Sequence, residues 1–267
     1  MSEGSQDQAT EAPVVLLERR DGILVITLNR PEARNSLNLA LTRAISDAFD
    51  ELDADPELSA GVMTGAGKGF CSGMDLKAFV AGEEVWEGEE DDRGLRRIVT
   101  RPPRKPLIAA VEGFAVAGGF ELALACDLLV AGRSAKFGVP EVKRSLVAAG
   151  GALLELPRRC GPGAAMKLAL TGDLIDGAEA AAIGLVDELS EDGEALEGAL
   201  AIARRIGENG PLAVIASKQV MRGAADWSAE EFWARQKEIC DPVFASHDAT
   251  EGATAFAEKR LPVWTGA

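Results

Sequence analysis

Residues 107–131 read LIAAVEGFAVAGGFELALACDLLVA, and their pattern decides the fold class. Leu107–Val111 is a short apolar run bounded by Glu112-Gly113, which is how a buried strand reads. Gly113 to Gly119 follows as a glycine-bearing turn, Phe120–Cys126 as a helix, and Leu128–Ala131 as another buried strand. Upstream, Ala60–Thr64 is a similar strand that runs into Gly65-Ala66-Gly67-Lys68-Gly69-Phe70-Cys71-Ser72-Gly73. A strand, glycine-rich turn and helix that recur indicate an α/β fold. These strands are too short for a doubly wound sheet of usual size. The repeated unit points instead to a solenoid-like core.

On the N-terminal side, Val14–Glu18 and Ile23–Leu28 flank Arg20-Asp21-Gly22 and predict a hairpin. Asn29-Arg30-Pro31 is a turn, with Ser36 or Asn38 as helix cap. Leu41, Ile45, Phe49 and Leu52 then keep helical spacing until Asp55-Pro56. Val80 to Arg104 is rich in Glu, Asp, Gly and Arg and predicts a solvated, mobile segment, or a lid on the substrate side. From about Asp192 the chain is almost entirely helical, with Pro211 placed as a first-turn proline. Asp226–Ser246 and Thr250–Lys259 read as the last two helices.

Composition excludes several classes of function. The 267 residues carry 28 basic and 43 acidic side chains, a net charge of −15. Such a surface repels nucleic acid and anionic membranes, and an anionic ligand needs local Lys or Arg. No apolar run approaches the roughly 20 residues that span a bilayer. Residues 1–13 are polar and acidic and predict a disordered tail rather than a signal peptide. Cys71, Cys126, Cys160 and Cys240 are far apart and form no zinc-ligand pattern. Reduced thiols and the absence of a leader predict a cytoplasmic enzyme that uses no metal.

Elimination narrows the chemistry further. His247 is the single histidine, and no GxSxG elbow accompanies it. Around Lys68 a phosphate loop would need Gly at 62 and Ser or Thr at 69, where Val62 and Gly69 stand. Two glycine-rich turns and two carboxylates remain. A turn that opens a helix presents backbone N–H groups to negative charge at Gly118. Two such turns on neighbouring strands supply two donors to one oxygen, an oxyanion hole. Read on the residues alone, both turns are better explained as mere tight connections. Glu121 in a first helical turn and Glu141 in the loop after Phe137-Gly138-Val139-Pro140 suit acid–base work if they share an apolar pocket.

At these residues the sequence resembles the enoyl-CoA hydratase/isomerase family, the crotonases. The resemblance rests on Asn29-Arg30-Pro31 with Asn35-Ser36-Leu37-Asn38, and on Gly69-Phe70-Cys71-Ser72-Gly73-Met74-Asp75-Leu76. It continues through Ala117-Gly118-Gly119-Phe120-Glu121, Phe137-Gly138-Val139-Pro140-Glu141, Leu170-Thr171-Gly172-Asp173, Ala181–Asp187 and Glu258-Lys259-Arg260. It implies a spiral of repeated ββα units over residues 14–200 and a helical trimerisation region over 201–267. It also implies homotrimers, often paired, and an acyl-CoA substrate that brings its own coenzyme A, with no separate cofactor. The resemblance makes Glu121 and Glu141 the catalytic acids and the N–H groups of Met74 and Gly118 the oxyanion hole. Ala33, Asn35, Cys71, Gly73, Asp75, Leu76, Lys77, Gly119 and Lys259 become the substrate contacts. Hydration of a trans-2-enoyl-CoA is the reaction implied, with Δ3-Δ2 isomerisation or non-catalytic acyl-CoA binding as alternatives. Where typical hydratases continue Ile-Pro-Gly-Ala-Gly-Gly, this chain has Val147-Ala148-Ala149-Gly150-Gly151-Ala152, a departure at the acyl end of the pocket.

Overall fold

A computed structural model describes residues 12–83, 85 and 94–267. The hairpin forms as β1 (Val15–Arg20) and β2 (Ile23–Leu28), with Asp21 and Gly22 at positive φ. Helix α1 (Leu39–Ala54) is capped by Asn38, whose side chain accepts from Leu41 N–H. Then come β3 (Ala60–Gly65), α2 (Leu76–Val80), α3 (Leu95–Thr100), β4 (Leu107–Val111) and β5 (Phe114–Val116). They are followed by α4 (Gly118–Ala125), β6 (Leu128–Gly132) and β7 (Lys136–Gly138). The helical run α5 (Ala152–Thr171) is broken at Gly161, next to Pro162. Short β8 (Ile175–Asp176), α6 (Gly177–Ala182) and β9 (Glu188–Ser190) lead to α7 (Ala195–Gly207), α8 (Pro211–Ala224), α9 (Ala229–Phe244) and α10 (His247–Glu258).

The strands make two sheets. The larger has the order β1-β2-β3-β4-β6-β9 and is parallel except for the β1–β2 hairpin. The smaller has the order β5-β7-β8. Each pass of the chain lays one strand in the large sheet and the next in the small one: β4 then β5, β6 then β7. In the earlier passes the second strand shrinks to single bridges, Leu37 to Met74 and Cys71 to Ala115. This is a mixed α/β fold, with the spiral of ββα units that the resemblance implied.

Strand alternation divides the core. Leu24, Ile26 and Leu28 of β2 face Leu41, Ile45, Phe49 and Leu52 of α1 within the main cluster. Ile23 and Val25 face the other way and join Val62, Ile108 and Val130 beneath Ala199, Leu200 and Ala203 of α7. The boundary placed at 200 therefore falls inside α7, whose buried face spans it.

Three local expectations are corrected. The turn predicted over Gly113–Gly119 contains β5, which pairs with β7. Helix α4 begins at Gly118 rather than Phe120, because Ala117 takes φ 52° and starts it early. Within Val80–Arg104, α3 is ordered by burying Leu95 and Ile98, and Val85 is buried too. Residues 84 and 86–93 of that segment, and 1–11 of the N-terminal tail, lie outside the described residues. Among the described residues no helix is long and apolar enough to cross a membrane.

Candidate active site

The first loop is held from beneath by Asn35. This residue is fully buried at φ 53°, and its side chain makes three hydrogen bonds. Its Oδ1 accepts from Arg30 N–H at 2.9 Å, and its Nδ2 donates to the carbonyls of Ala66 and Gly69, each at 2.9 Å. Leu37 N–H then donates to Gly73 C=O at 2.8 Å, and Asp75 N–H donates to Leu37 C=O at 2.9 Å. In a trans peptide the C=O and the following N–H point opposite ways. With Gly73 C=O turned to Leu37, Met74 N–H is turned away from it. Among the described residues Met74 N–H donates to no backbone acceptor.

The second loop lies alongside. Cys71 N–H donates to Phe114 C=O and Val116 N–H donates to Cys71 C=O, each at 3.1 Å. Ala117 follows at φ 52°, ψ −133°, a conformation an L-residue adopts only under constraint. Its N–H is fixed on Gly138 C=O at 2.9 Å. Gly118 is the first residue of α4, where an N–H has no partner within the helix. The two loops touch through glycine. A Cβ on Gly73 would fall 3.1 Å from Gly118 N, and one on Gly118 would fall 3.6 Å from Met74 N. Two N–H groups from separate loops, neither with a partner among the described residues, thus lie close together, an arrangement that suits an oxyanion.

Both glutamates are drawn out of water. Glu121 in the first turn of α4 is 5% exposed. Burial raises its pKa to about 7, the N–H of Ala152 opposes the rise, and the charge of Glu141 adds to it. Its Oε1 accepts from Ala152 N–H at 3.2 Å. Glu141 follows Pro140 in a 3-10 turn, where the sequence suggested an irregular loop. Burial raises its pKa as well, and its Oε2 is buried and has no hydrogen-bond partner among the described residues. An unpartnered buried carboxylate oxygen beside a second raised carboxyl is suited to holding and moving a proton.

The other predicted residues fall into distinct settings. Asp75 caps α2 by accepting from Lys77 and Ala78 N–H. Burial pushes its pKa up, but bonds from Arg30, Ala78, Ser36 and Lys77 outweigh that and hold it low. Cys71 is fully buried with its thiol pushed up to about 12, so it is neutral and no nucleophile. Gly119 packs on Cys71, where a Cβ would fall 2.3 Å from the carbonyl oxygen. Leu76 and Lys77 are exposed at the start of α2, and Ala33 is half-buried beside Asn35. Lys259 is exposed at the end of α10 at φ 56°, and no hydrogen bond or ion pair joins it to the 70–77 loop.

Sequence reasoning missed several contributors. A cavity of about 560 Å³ opens beside the first loop, lined by Arg34, Lys68 and Phe114 among others. Arg34 and Lys68 put two basic groups at this cavity, against one carboxylate, Glu32. Gly150 approaches Glu121 so closely that a Cβ there would fall 2.5 Å from Oε2. Its only signal was the Gly150-Gly151 pair inside the stretch that departs from typical hydratases.

Comparisons with known proteins identify the family. A family model described as "Enoyl-CoA hydratase/isomerase" matches residues 18–267. An enoyl-CoA hydratase of Mycobacterium tuberculosis, EchA19, is 43% identical over 254 residues, which is 94% of this chain and 96% of that one. The carnitinyl-CoA dehydratase of Salmonella typhi is 38% identical over 257 residues, 94% of this chain and 97% of that one. The crystal structure of enoyl-CoA hydratase EchA1 from Mycobacterium marinum superposes with a TM-score of 0.92 at 56% identity, covering 96% of this chain and all of that one. Matched along nearly its whole described length in sequence and in fold, the chain belongs to the enoyl-CoA hydratase/isomerase family.

Proposed function

We propose that the chain is an enoyl-CoA hydratase, which adds water across the double bond of a trans-2-enoyl-CoA to give a 3-hydroxyacyl-CoA. The observation that carries this is the pair of raised carboxyls, buried Glu121 and half-buried Glu141, with the charge of the second raising the first, together with two N–H donors that have no partner among the described residues. A thioester C=O that accepts from Met74 and Gly118 N–H withdraws electrons from the conjugated C=C and makes Cβ electrophilic. Negative charge that builds on the oxygen in the transition state is what such donors stabilise, each worth about 3–4 kcal/mol in other oxyanion holes. Water held by the two carboxylates adds at Cβ. One proton leaves that water and one arrives at Cα; we assign the Cα proton to Glu141 and water activation to Glu121.

Coenzyme A is part of the substrate, and the chemistry needs no metal or redox cofactor. The cavity beside Arg34 and Lys68 offers room and charge near the first loop for the polar half of the ligand. A second reading is dehydration of a 3-hydroxyacyl-CoA with a polar chain. It is favoured by the carnitinyl-CoA dehydratase relatives and by the altered stretch 147–152 at the acyl end. Both reactions use the same acids in opposite directions. Self-association as a homotrimer, or a dimer of trimers, is supported by α9, none of whose residues is buried. Exposed Met221, Trp233, Phe244, Phe256 and Leu261 on the C-terminal elements agree with it. The functional test follows the conjugated enoyl absorbance with trans-2-enoyl-CoAs of several chain lengths. Wild type is expected to bleach it, and Glu121→Gln and Glu141→Gln to lower kcat by roughly 10²–10⁴-fold with binding kept. Binding without bleaching at every chain length rules the hydratase out.

A further inference from the structure

We propose that Arg30 is a positioning residue for the reaction: its guanidinium ties the two segments that aim the Met74 N–H. The inference rests on the reading of Met74 N–H as an oxyanion donor. The direction of that N–H is set by the bridge at Leu37, where Leu37 N–H takes Gly73 C=O and Leu37 C=O takes Asp75 N–H. Arg30 clasps this bridge from both sides. Its Nη1 donates to Ser36 C=O, one residue before Leu37. Its Nη2 donates to Asp75 Oδ2 at 3.1 Å, one residue after Met74. Ser36 Oγ donates to the same carboxylate oxygen at 3.2 Å, closing a ring of side chains around the bridge. The other oxygen of Asp75 caps α2 through Lys77 N–H, so the clasp also sets where that helix starts.

The anchor is itself fixed. Arg30 N–H donates to the buried Asn35 side chain, and Asn35 N–H donates to Arg30 C=O at 2.8 Å. The Arg30 and Asp75 side chains are only 16% and 15% exposed, so solvent screens the pair weakly. A planar fork can serve a carbonyl and a carboxylate together, which an ammonium cannot do with the same geometry. A half-buried ion pair is poor evidence of stabilisation in itself. What this one does supply is direction. Both guanidinium bonds go to protein groups, so Arg30 acts through Met74. Donor placement matters because a misplacement of about 1 Å is enough to cost on the order of 10²-fold in rate.

The test uses the full-length protein and a trans-2-enoyl-CoA labelled with ¹³C at the thioester carbonyl. Arg30→Met, Arg30→Lys and Asp75→Asn are compared with wild type by kcat, KM and the infrared shift of the bound carbonyl. Arg30→Met is expected to lose roughly 10²-fold in kcat, keep KM within about threefold, and lose most of the carbonyl shift. The pH–rate midpoints, which report Glu121 and Glu141, are expected to stay in place. Arg30→Lys falls between, because it keeps charge without the fork. If Arg30→Met does not fold, Arg30→Lys and Asp75→Asn give the same readouts. A folded variant with wild-type kcat and carbonyl shift overturns the assignment. So does a fall in kcat that only follows the folded fraction. A wild-type protein that turns over or binds the thioester without shifting its carbonyl overturns instead the oxyanion reading beneath it.

Discussion

Replacing Glu121 with Gln makes the protein more stable at alkaline pH and leaves it nearly unchanged in acid. The reason is linkage. Burial raises the folded pKa of Glu121 from 4.5 to about 7, so the folded chain holds this proton more tightly than the unfolded chain does. Below about pH 4 both states are protonated and the group has no effect. As pH rises from the unfolded pKa toward 7, the unfolded chain ionises first and folding stability falls. Above the folded pKa the loss is complete, and a rise of this size corresponds to about 3 kcal/mol as an upper bound. With Glu121 only 5% exposed, little screening reduces that figure. Gln cannot ionise, yet its carbonyl oxygen still accepts from Ala152 N–H. The assay is urea unfolding followed by tryptophan fluorescence, from about pH 4 to 8, with protomer concentration fixed because assembly shifts apparent stability. The stability of Glu121→Gln relative to wild type is expected to grow across that window by up to about 3 kcal/mol. A difference that stays flat, or that shrinks as pH rises, refutes the claim that burial raises the Glu121 carboxyl.

Gly150→Ala is expected to lower kcat by about 10²-fold with little loss of stability, since the atom nearest the new Cβ is Oε2 of Glu121, 2.5 Å away at the mobile end of a side chain. Unchanged kcat, or unfolding at room temperature, counts against it. Light scattering of the purified chain is expected to give three or six copies. A monomer at micromolar concentration contradicts the reading of the apolar C-terminal surface.

The sequence displayed what local chemistry controls. Asn38 as cap, Pro211 opening α8, and the alternation that splits Ile23 and Val25 from Leu24, Ile26 and Leu28 all follow from short-range patterns. The family resemblance supplied the spiral and the site residues. What stayed hidden depends on partners far along the chain. β5 is three residues long and is a strand only because β7 lies beside it. Nothing marks Ala117 as the residue at positive φ, since a strained alanine has no composition signal. The solvated stretch before Arg104 concealed α3, whose two buried residues find their cover in tertiary packing. Arg30 and Asp75 meet across 45 residues, and Gly150 reaches Glu121 only after α4 and α5 have packed.

Hydration itself is tested most directly by the mass and label pattern of the product. Incubation of a trans-2-enoyl-CoA with the wild-type protein in H₂¹⁸O is expected to yield a 3-hydroxyacyl-CoA heavier by one water, with the ¹⁸O on Cβ, and Glu121→Gln and Glu141→Gln are expected to form it orders of magnitude more slowly. A product of unchanged mass with a shifted double bond, or label incorporation at wild-type rate in either variant, contradicts two acids acting on one water.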